Sequence, residues 1–397
     1  MGIFVQTESL EGNTIDKILF YCLCGLFFFI ALGVTSITVT ASIIAISIWL
    51  FSGKFFKQKD RWLKQKWTPP VIFFMLLPCL ALLWTNDMEL GLKFAKKSYY
   101  WILSFVIASI ALSSQNKKIL FDFFLAGLAL FCIASILKYI NIFFIPKWIP
   151  TTDFGKHITQ TLFLVFGITL LSYYFKVYKK NLFYVLLTLL FLFTLSIAYG
   201  RSGYLTFILL SPIIAYNFFG KRFFLTLAII IAFSTLFFSV SPAIKSRIVT
   251  AVDDIRTYQT GDPNTSVGLR LIMWQGAIKI FLKNPLIGVG TGGYTNEQLK
   301  YNPPNILPEY ERSRHPHNSF LFMAANYGML GVVSIIWLFI AYFKKSVLSW
   351  NTLTGFAILS YGLIIFIGSM TETQILSPGT AKMFALLMGI KTENESS

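Results

Sequence analysis

The chain holds three histidines, His157, His315 and His317. An imidazole titrates near pH 6.5 and can take a proton around neutrality. His315 and His317 lie close together in ERSRHPHNSFLFMAANYGMLG, and His157 lies in DFGKHITQ. Two arginines stand near apolar runs: Arg201 in AYGRSGYL, and Arg270 four residues before Trp274. A guanidinium beside a helix N-terminus suits a phosphate or diphosphate. The bland alternatives are an interfacial anchor for Arg201 and a solvated charge for Arg270; the apolar neighbours of Arg270 turn it toward the protein or a membrane surface.

Other polar groups offer less. Asp87 and Glu89 form a D-x-E that could hold a divalent ion, but a helix cap at Asn86 or Asp87 explains the pair more simply. Asp253 with Asp254, and Glu309 with Glu311, read as solvated pairs. Glu372 either steers an acceptor and offsets arginine charge, or is a solvated turn residue. Asp122 and Lys382 fall inside apolar runs, close enough to an end to snorkel. Gly288, Gly290 and Gly293 fit G-x-G-x-x-G, but no strand precedes them, so a tight glycine-rich turn is expected. Zinc-protease, serine-hydrolase and nucleophile-elbow patterns do not occur. Cys22, Cys24, Cys79 and Cys132 lie in apolar runs as filler, with no ligand partners nearby. No metal or cofactor is expected.

The elements that must position these groups follow from composition. Hydrophobic residues make up 55% of the 397 and charged residues 13%. Soluble chains carry about 25% charged residues, so this one cannot cover a water-facing surface. A mean hydropathy of +0.66 agrees. Soluble enzymes, disordered tails and rods are excluded, which leaves an all-α polytopic membrane protein. Runs of about 20 apolar residues predict twelve spans, near 17–34, 36–52, 69–85, 98–112, 119–140, 158–175, 182–199, 202–218, 223–240, 317–343, 348–370 and 374–390.

Lysine and arginine orient them. With the N-terminus in the cytoplasm, 17 of the 34 basic residues fall on the inner side and eight in short outer loops or outer helix ends; nine occupy one long outer segment. Basic residues collect on the cytoplasmic side, so both termini are placed there and the net charge of +17 is topological. It is not a nucleic-acid footprint. Glu8, Glu11 and Asp16 argue against a cleaved signal peptide.

Three regions of one integrated domain result: helices 1–9 in 1–240, an outer loop region in 241–316, and helices 10–12 with a cytoplasmic tail in 317–397. Within the loop region, Ser266 is expected to cap a helix over 267–283, with Leu269, Met273, Gly276 and Ile280 toward the body. All three histidines and both arginines then share the outer face. A basic, histidine-bearing pocket beside a membrane fits an anionic, lipid-linked substrate such as a lipid diphosphate.

These motifs resemble the O-antigen ligases of the O-antigen ligase/polymerase superfamily. Arg201 to Leu205 meet an Arg-x-x-x-Leu pattern, and His317 with Gly328 meets His-x10-Gly. Between them lie Arg270, Trp274 and an NPLxGxG turn, Asn284 to Gly290. The specific motifs fall within about 198–331; the architecture resembles the family throughout. The resemblance implies a twelve-helix glycosyltransferase of the GT-C type, inverting and metal-independent, in the bacterial inner membrane with its site facing the periplasm. The donor would be a glycan on undecaprenyl diphosphate and the acceptor lipid A–core, in lipopolysaccharide biosynthesis. Arg201 and Arg270 would bind the diphosphate, and His317 would be the base. His315 is a rival base; Arg314, Glu372 and His157 are weaker site candidates. A polymerase or an O-linked protein glycosyltransferase of the same superfamily is the alternative. A transporter of lipid-linked sugar is disfavoured by the few charges in the spans and the lack of repeat symmetry.

Overall fold

The computed structural model describes residues 14–141, 157–178, 181–198, 200–219 and 242–392, together with 151 and 228. The span expected at 223–240 lies outside the described residues, apart from 228. Among them every regular element is helical. In chain order these are α1 (Thr14–Leu32), α2 (Thr35–Phe51), α3 (Lys54–Lys57), α4 (Lys59–Leu63), α5 (Thr68–Leu80), α6 (Met88–Ala95), α7 (Ile102–Ala108), α8 (Ser114–Tyr139), α9 (His157–Val177), α10 (Leu182–Ile197) and α11 (Arg201–Phe219). Then follow α12 (Pro242–Gln259), α13 (Ser266–Lys283), α14 (Tyr294–Gln298), α15 (Ser319–Val347), α16 (Leu353–Thr371) and α17 (Pro378–Gly389).

Five of these helices are long and apolar enough to cross a membrane, namely α1, α8, α9 from Ile158, α15 and α16. Shorter apolar helices include α2, α10 and most of α11. Large apolar side chains stay exposed on their outer faces. On α10, Leu186, Leu189 and Phe193 form an exposed stripe while Phe191, Thr194 and Leu195 are buried. An apolar stripe left outside a core this well filled fits a lipid solvent, not water. The chain is an all-α polytopic membrane protein. Its core joins α1 to α8, α9 to α10 and α11, α15 to α16 and α5, and α17 to α7.

The spans differ from expectation in instructive places. The run at 98–112 becomes a 3₁₀ turn over Lys96–Trp101 followed by the short α7. Residues 69–85 form α5, with Pro78 inside it, then a 3₁₀ turn over Ala81–Trp84. Lys382 does not snorkel. It is wholly buried, its Nζ donating to Thr38 Oγ1 at 3.1 Å and lying 5.2 Å from the Tyr100 ring centre. A hydroxyl and aromatic faces satisfy the charge within the bundle. Asp122 accepts from Lys118 Nζ at 2.7 Å and from Tyr174 Oη at 3.0 Å.

The segment 241–316 is mostly ordered helix. Besides the expected α13 it contains α12, which its mixed charges hid. Thr265, one residue before Ser266, caps α13 by accepting from Gly268 N at 3.1 Å. The buried side of α13 is Gly268, Ile272, Gly276, Ala277 and Ile280; Leu269 and Met273 are only half-buried. Asp254 is not solvated: it is buried, and its Oδ2 accepts from Val267 N at 3.3 Å, fastening α12 to the start of α13.

Candidate active site

His317 immediately precedes α15, whose N-cap is Asn318. Asn318 Oδ1 accepts from Phe320 N at 2.9 Å and from Leu321 N at 3.0 Å, satisfying two free amides of the first turn. Its Nδ2 donates to Met370 O at 3.0 Å, and Ser319 Oγ donates to Glu372 O at 3.2 Å. These bonds clamp the start of α15 to the end of α16. On the other side, Trp274 of α13 donates from Nε1 to Pro316 O at 2.9 Å. His317 is held between the two clamps with φ of 50°, in the left-handed region that a non-glycine residue enters only at a cost.

That conformation accompanies a direct contact. His317 Nδ1 lies 2.8 Å from Glu372 Oε2. His315 Nδ1 lies 3.7 Å from Glu372 Oε1 and 3.2 Å from Thr373 Oγ1, and the two imidazole rings are 4.5 Å apart. Thr373 N donates to Glu372 Oε1 at 2.9 Å. Glu372, beyond the last residue of α16, is thus a partly buried hub for both histidines and not a solvated turn residue. Glu372 stands among the weaker site candidates of the sequence, but spacing does not reveal its pairing with His317 across 55 residues.

The electrostatics distinguish the histidines. Burial, then the neighbouring His317, pushes His315 down to about 4, so it stays neutral around pH 7. Burial raises the Glu372 carboxyl, but the His317 hydrogen bond and charge, the Thr373 amide and His315 together hold it below the ordinary glutamate value. An ionised Glu372 fixes the proton of neutral His317 on Nδ1. Nε2 is then the basic atom that can receive a proton from a hydroxyl.

Helix α13 and the start of α11, which carry the two expected arginines, meet the same end of the bundle. Arg270 is half-buried on α13, one turn before Trp274, and makes no hydrogen bond or ion pair among the described residues. Arg201 opens α11; its side chain lies outside the described residues, but Ser202 Oγ is 2.7 Å from Thr371 Oγ1, next to Glu372. His157 opens α9, its side chain likewise outside the description; Thr159 Oγ1 lies 3.0 Å from Ser377 Oγ, before α17. Arg314 is exposed, while Arg312 Nη2 donates to Asn296 Oδ1 at 3.0 Å. Lys97, counted only as an outer-loop charge in the sequence, stands near both Arg314 and His315. Burial, then Arg314, lowers its pKa.

Glycines hold this arrangement together. Gly328, ten intervening residues after His317, breaks the α-helical path of α15 with φ 60° and ψ −144°. The turn after α13 docks at the break: Val289 N donates to Ala325 O at 3.1 Å, Gly290 N to Asn326 O at 2.9 Å, and Met329 N to Pro285 O at 2.7 Å. A Cβ on Gly288 would stand 2.4 Å from Asn326 C, and one on Gly328 2.5 Å from Leu286 C. Both positions have positive φ, so side chains are excluded by conformation and by space. The turn is structural, as expected, and fixes the register of α13 against α15.

His315, His317 and Glu372 offer ligand atoms all within 4.8 Å of one another, a set that could hold a metal ion. Asp87 and Glu89 do not share a site. Asp87 caps α6, accepting from Leu90 N at 2.9 Å, and Glu89 pairs with Lys93 at 2.5 Å.

A multi-pass helical membrane protein with a histidine–carboxylate centre at one end of its bundle is the class so defined. Residues 184–336 match the family model described as O-antigen ligase, a stretch that includes Arg201, Arg270, His317 and Gly328. The chain is 24% identical over 401 aligned residues to the O-antigen ligase of Escherichia coli K12, covering 91% of this chain and 89% of that protein. It is 26% identical over 198 residues to an uncharacterised protein of Haemophilus influenzae, covering 47% and 50%. The chain is similar to the O-antigen ligases over residues 184–336 and, at 24% identity, over most of its length.

Proposed function

We propose that this protein is a glycosyltransferase-type ligase of lipopolysaccharide biosynthesis. It moves an O-antigen or related glycan from undecaprenyl diphosphate to a sugar hydroxyl of lipid A–core. The orientation drawn from its basic residues puts the site at the periplasmic face of the inner membrane. The observation that carries the reading is the 2.8 Å contact between His317 Nδ1 and Glu372 Oε2, which leaves Nε2 as a base.

In this mechanism the acceptor hydroxyl attacks the anomeric carbon from the face opposite the diphosphate. The new C–O bond forms as the bond to the phosphate oxygen breaks, so the anomeric configuration inverts. Nε2 of His317 takes the hydroxyl proton, and Glu372 stabilises the imidazolium. The electron pair leaves with the diphosphate, where Arg201 and Arg270 stabilise the developing charge. A diphosphate is a good leaving group, so no general acid or metal is required. Support for Arg270 comes from its half-buried, uncompensated guanidinium, and for Arg201 from the Ser202–Thr371 contact.

The test supplies purified protein with an undecaprenyl-diphosphate glycan and three separate acceptors. Elongation of lipid A–core is expected. Growth of the lipid-linked chain alone would indicate a polymerase, and glycosylated protein the O-linked alternative. The ligand geometry of His315, His317 and Glu372 favours one further reading, a divalent metal between them. Transfer is expected to persist in a chelator; loss restored by Mg²⁺, Mn²⁺ or Zn²⁺ would establish the metal reading.

A further inference from the structure

The end of the bundle remote from His317 contains a second built feature. Helix α15 runs 29 residues from Ser319 to Val347. At 1.5 Å per residue it spans roughly 40 Å, about a bilayer with its headgroup layers. At its far end a cavity of about 930 Å³ opens between the last turns of α15 and the segment joining α4 to α5. Its wall carries Lys64, Lys66 and Lys344, all exposed, and none forms an ion pair among the described residues.

Lys345 also lines this cavity but is committed. It is buried, its Nζ donating to Met388 O at 2.8 Å and lying 5.5 Å from the Trp67 ring centre. That bond ties α15 to the end of α17 and keeps the floor fixed. The other walls are apolar: Trp337, Ile340, Val347 and Leu348 line the cavity and are themselves exposed on the bundle's outer surface. The feature therefore couples three unpaired cations to an apolar wall that continues onto the lipid-facing side.

We propose that this cavity binds an anionic phospholipid. Its headgroup phosphate meets Lys64, Lys66 and Lys344, and its acyl chains lie along Trp337, Ile340 and Leu348. A soluble anion would satisfy the lysines and leave the apolar wall empty; a zwitterionic lipid would fill the wall and leave the charge uncompensated. Basic pockets between membrane helices take anionic lipids for this reason. The lysines count for topology as well, since a positive inner side and a lipid site use the same charges.

Native mass spectrometry of the full chain in neutral detergent tests this, with phosphatidylglycerol, cardiolipin, phosphatidylethanolamine and phosphatidylcholine added at equal concentration. Anionic lipid adducts are expected to exceed zwitterionic ones by on the order of 10²-fold, from about 1 kcal/mol for each of the three lysines at a charged surface. The triple variant Lys64→Gln, Lys66→Gln, Lys344→Gln removes the preference. Ala341→Trp, which fills the cavity and keeps the lysines, removes the adduct itself. Glycerol 3-phosphate, the headgroup without chains, does not displace the bound lipid. Glycan transfer in the same detergent stays near the unmodified rate in both variants, which checks folding. Equal binding of all four lipids would overturn the proposal, as would a preference that survives the triple variant.

Discussion

The two ends of α15 are both basic, but their cations are arranged differently. At the histidine end, His315 and His317 converge on one carboxylate, Glu372, and hydrogen bonds from α13, α15 and α16 fix the geometry. At the lysine end, Lys64, Lys66 and Lys344 line a cavity with no carboxylate paired to them among the described residues. A preorganised, partly buried cluster suits the proposed proton transfer and a substrate's developing charge. An open set of flexible lysines suits charge attraction without geometric demand. The contrast separates what chemistry requires from what topology and lipid contact require.

The largest effects on transfer are expected at the histidine end. Arg201→Ala and Arg270→Ala should each lower transfer about 10²–10³-fold, the range for removing a group that stabilises transition-state charge. Insertion and thermal unfolding should stay close to the unmodified protein. Near-full transfer in both would remove the diphosphate role. Glu372→Gln should come next, with a fall of about 10²-fold in kcat and little change in acceptor KM. The glutamine side chain can still reach Nδ1 but no longer stabilises an imidazolium. A kcat unchanged by this substitution would leave Glu372 as a structural tie only.

A smaller effect, on stability, is expected at the glycine break. Gly328→Ala brings a Cβ to 2.5 Å from Leu286 C at φ 60°. It should destabilise by about 1–3 kcal/mol and loosen α13 from α15. Hydrogen exchange at Val289 and Gly290, whose amides bond to Ala325 and Asn326, should rise with it. Unaltered protection would mean that the turn is held elsewhere.

A pH-dependent effect on stability concerns His315. Its folded pKa, about 4, lies below the unfolded value near 6.5. In that window the unfolded chain binds more protons, so His315's contribution is complete above pH 6.5 and is lost as pH falls toward 4. His315→Asn should flatten the decline of thermal stability between pH 6.5 and 4. An equally steep decline in the variant would assign that slope to other groups.

Much of the membrane architecture was legible in the chain because an apolar run of about 20 residues has few other uses. The same local logic identified the Asp87 cap and the glycine-rich turn. It failed where partners are distant in sequence. Glu372 reads as a weak site candidate or a turn residue until α16 brings it to His317, and Asp254 reads as solvated until α12 folds against α13. Lys382 reads as a snorkelling end residue until Thr38 and the two tyrosines appear beside it. Its burial depends on side chains more than 280 positions away. The cap of α13 moved by one residue, from Ser266 to Thr265, because either hydroxyl can serve and the chain reversal after Pro263 decides between them.

The central claim is that His317 is the base. The most direct measurement is the transfer rate of purified His317→Ala with an undecaprenyl-diphosphate glycan and lipid A–core, after its thermal unfolding is shown to match the unmodified protein. The account predicts a rate lower by about 10³-fold, within the range for loss of a general base. A rate within a few-fold of the unmodified protein would contradict it.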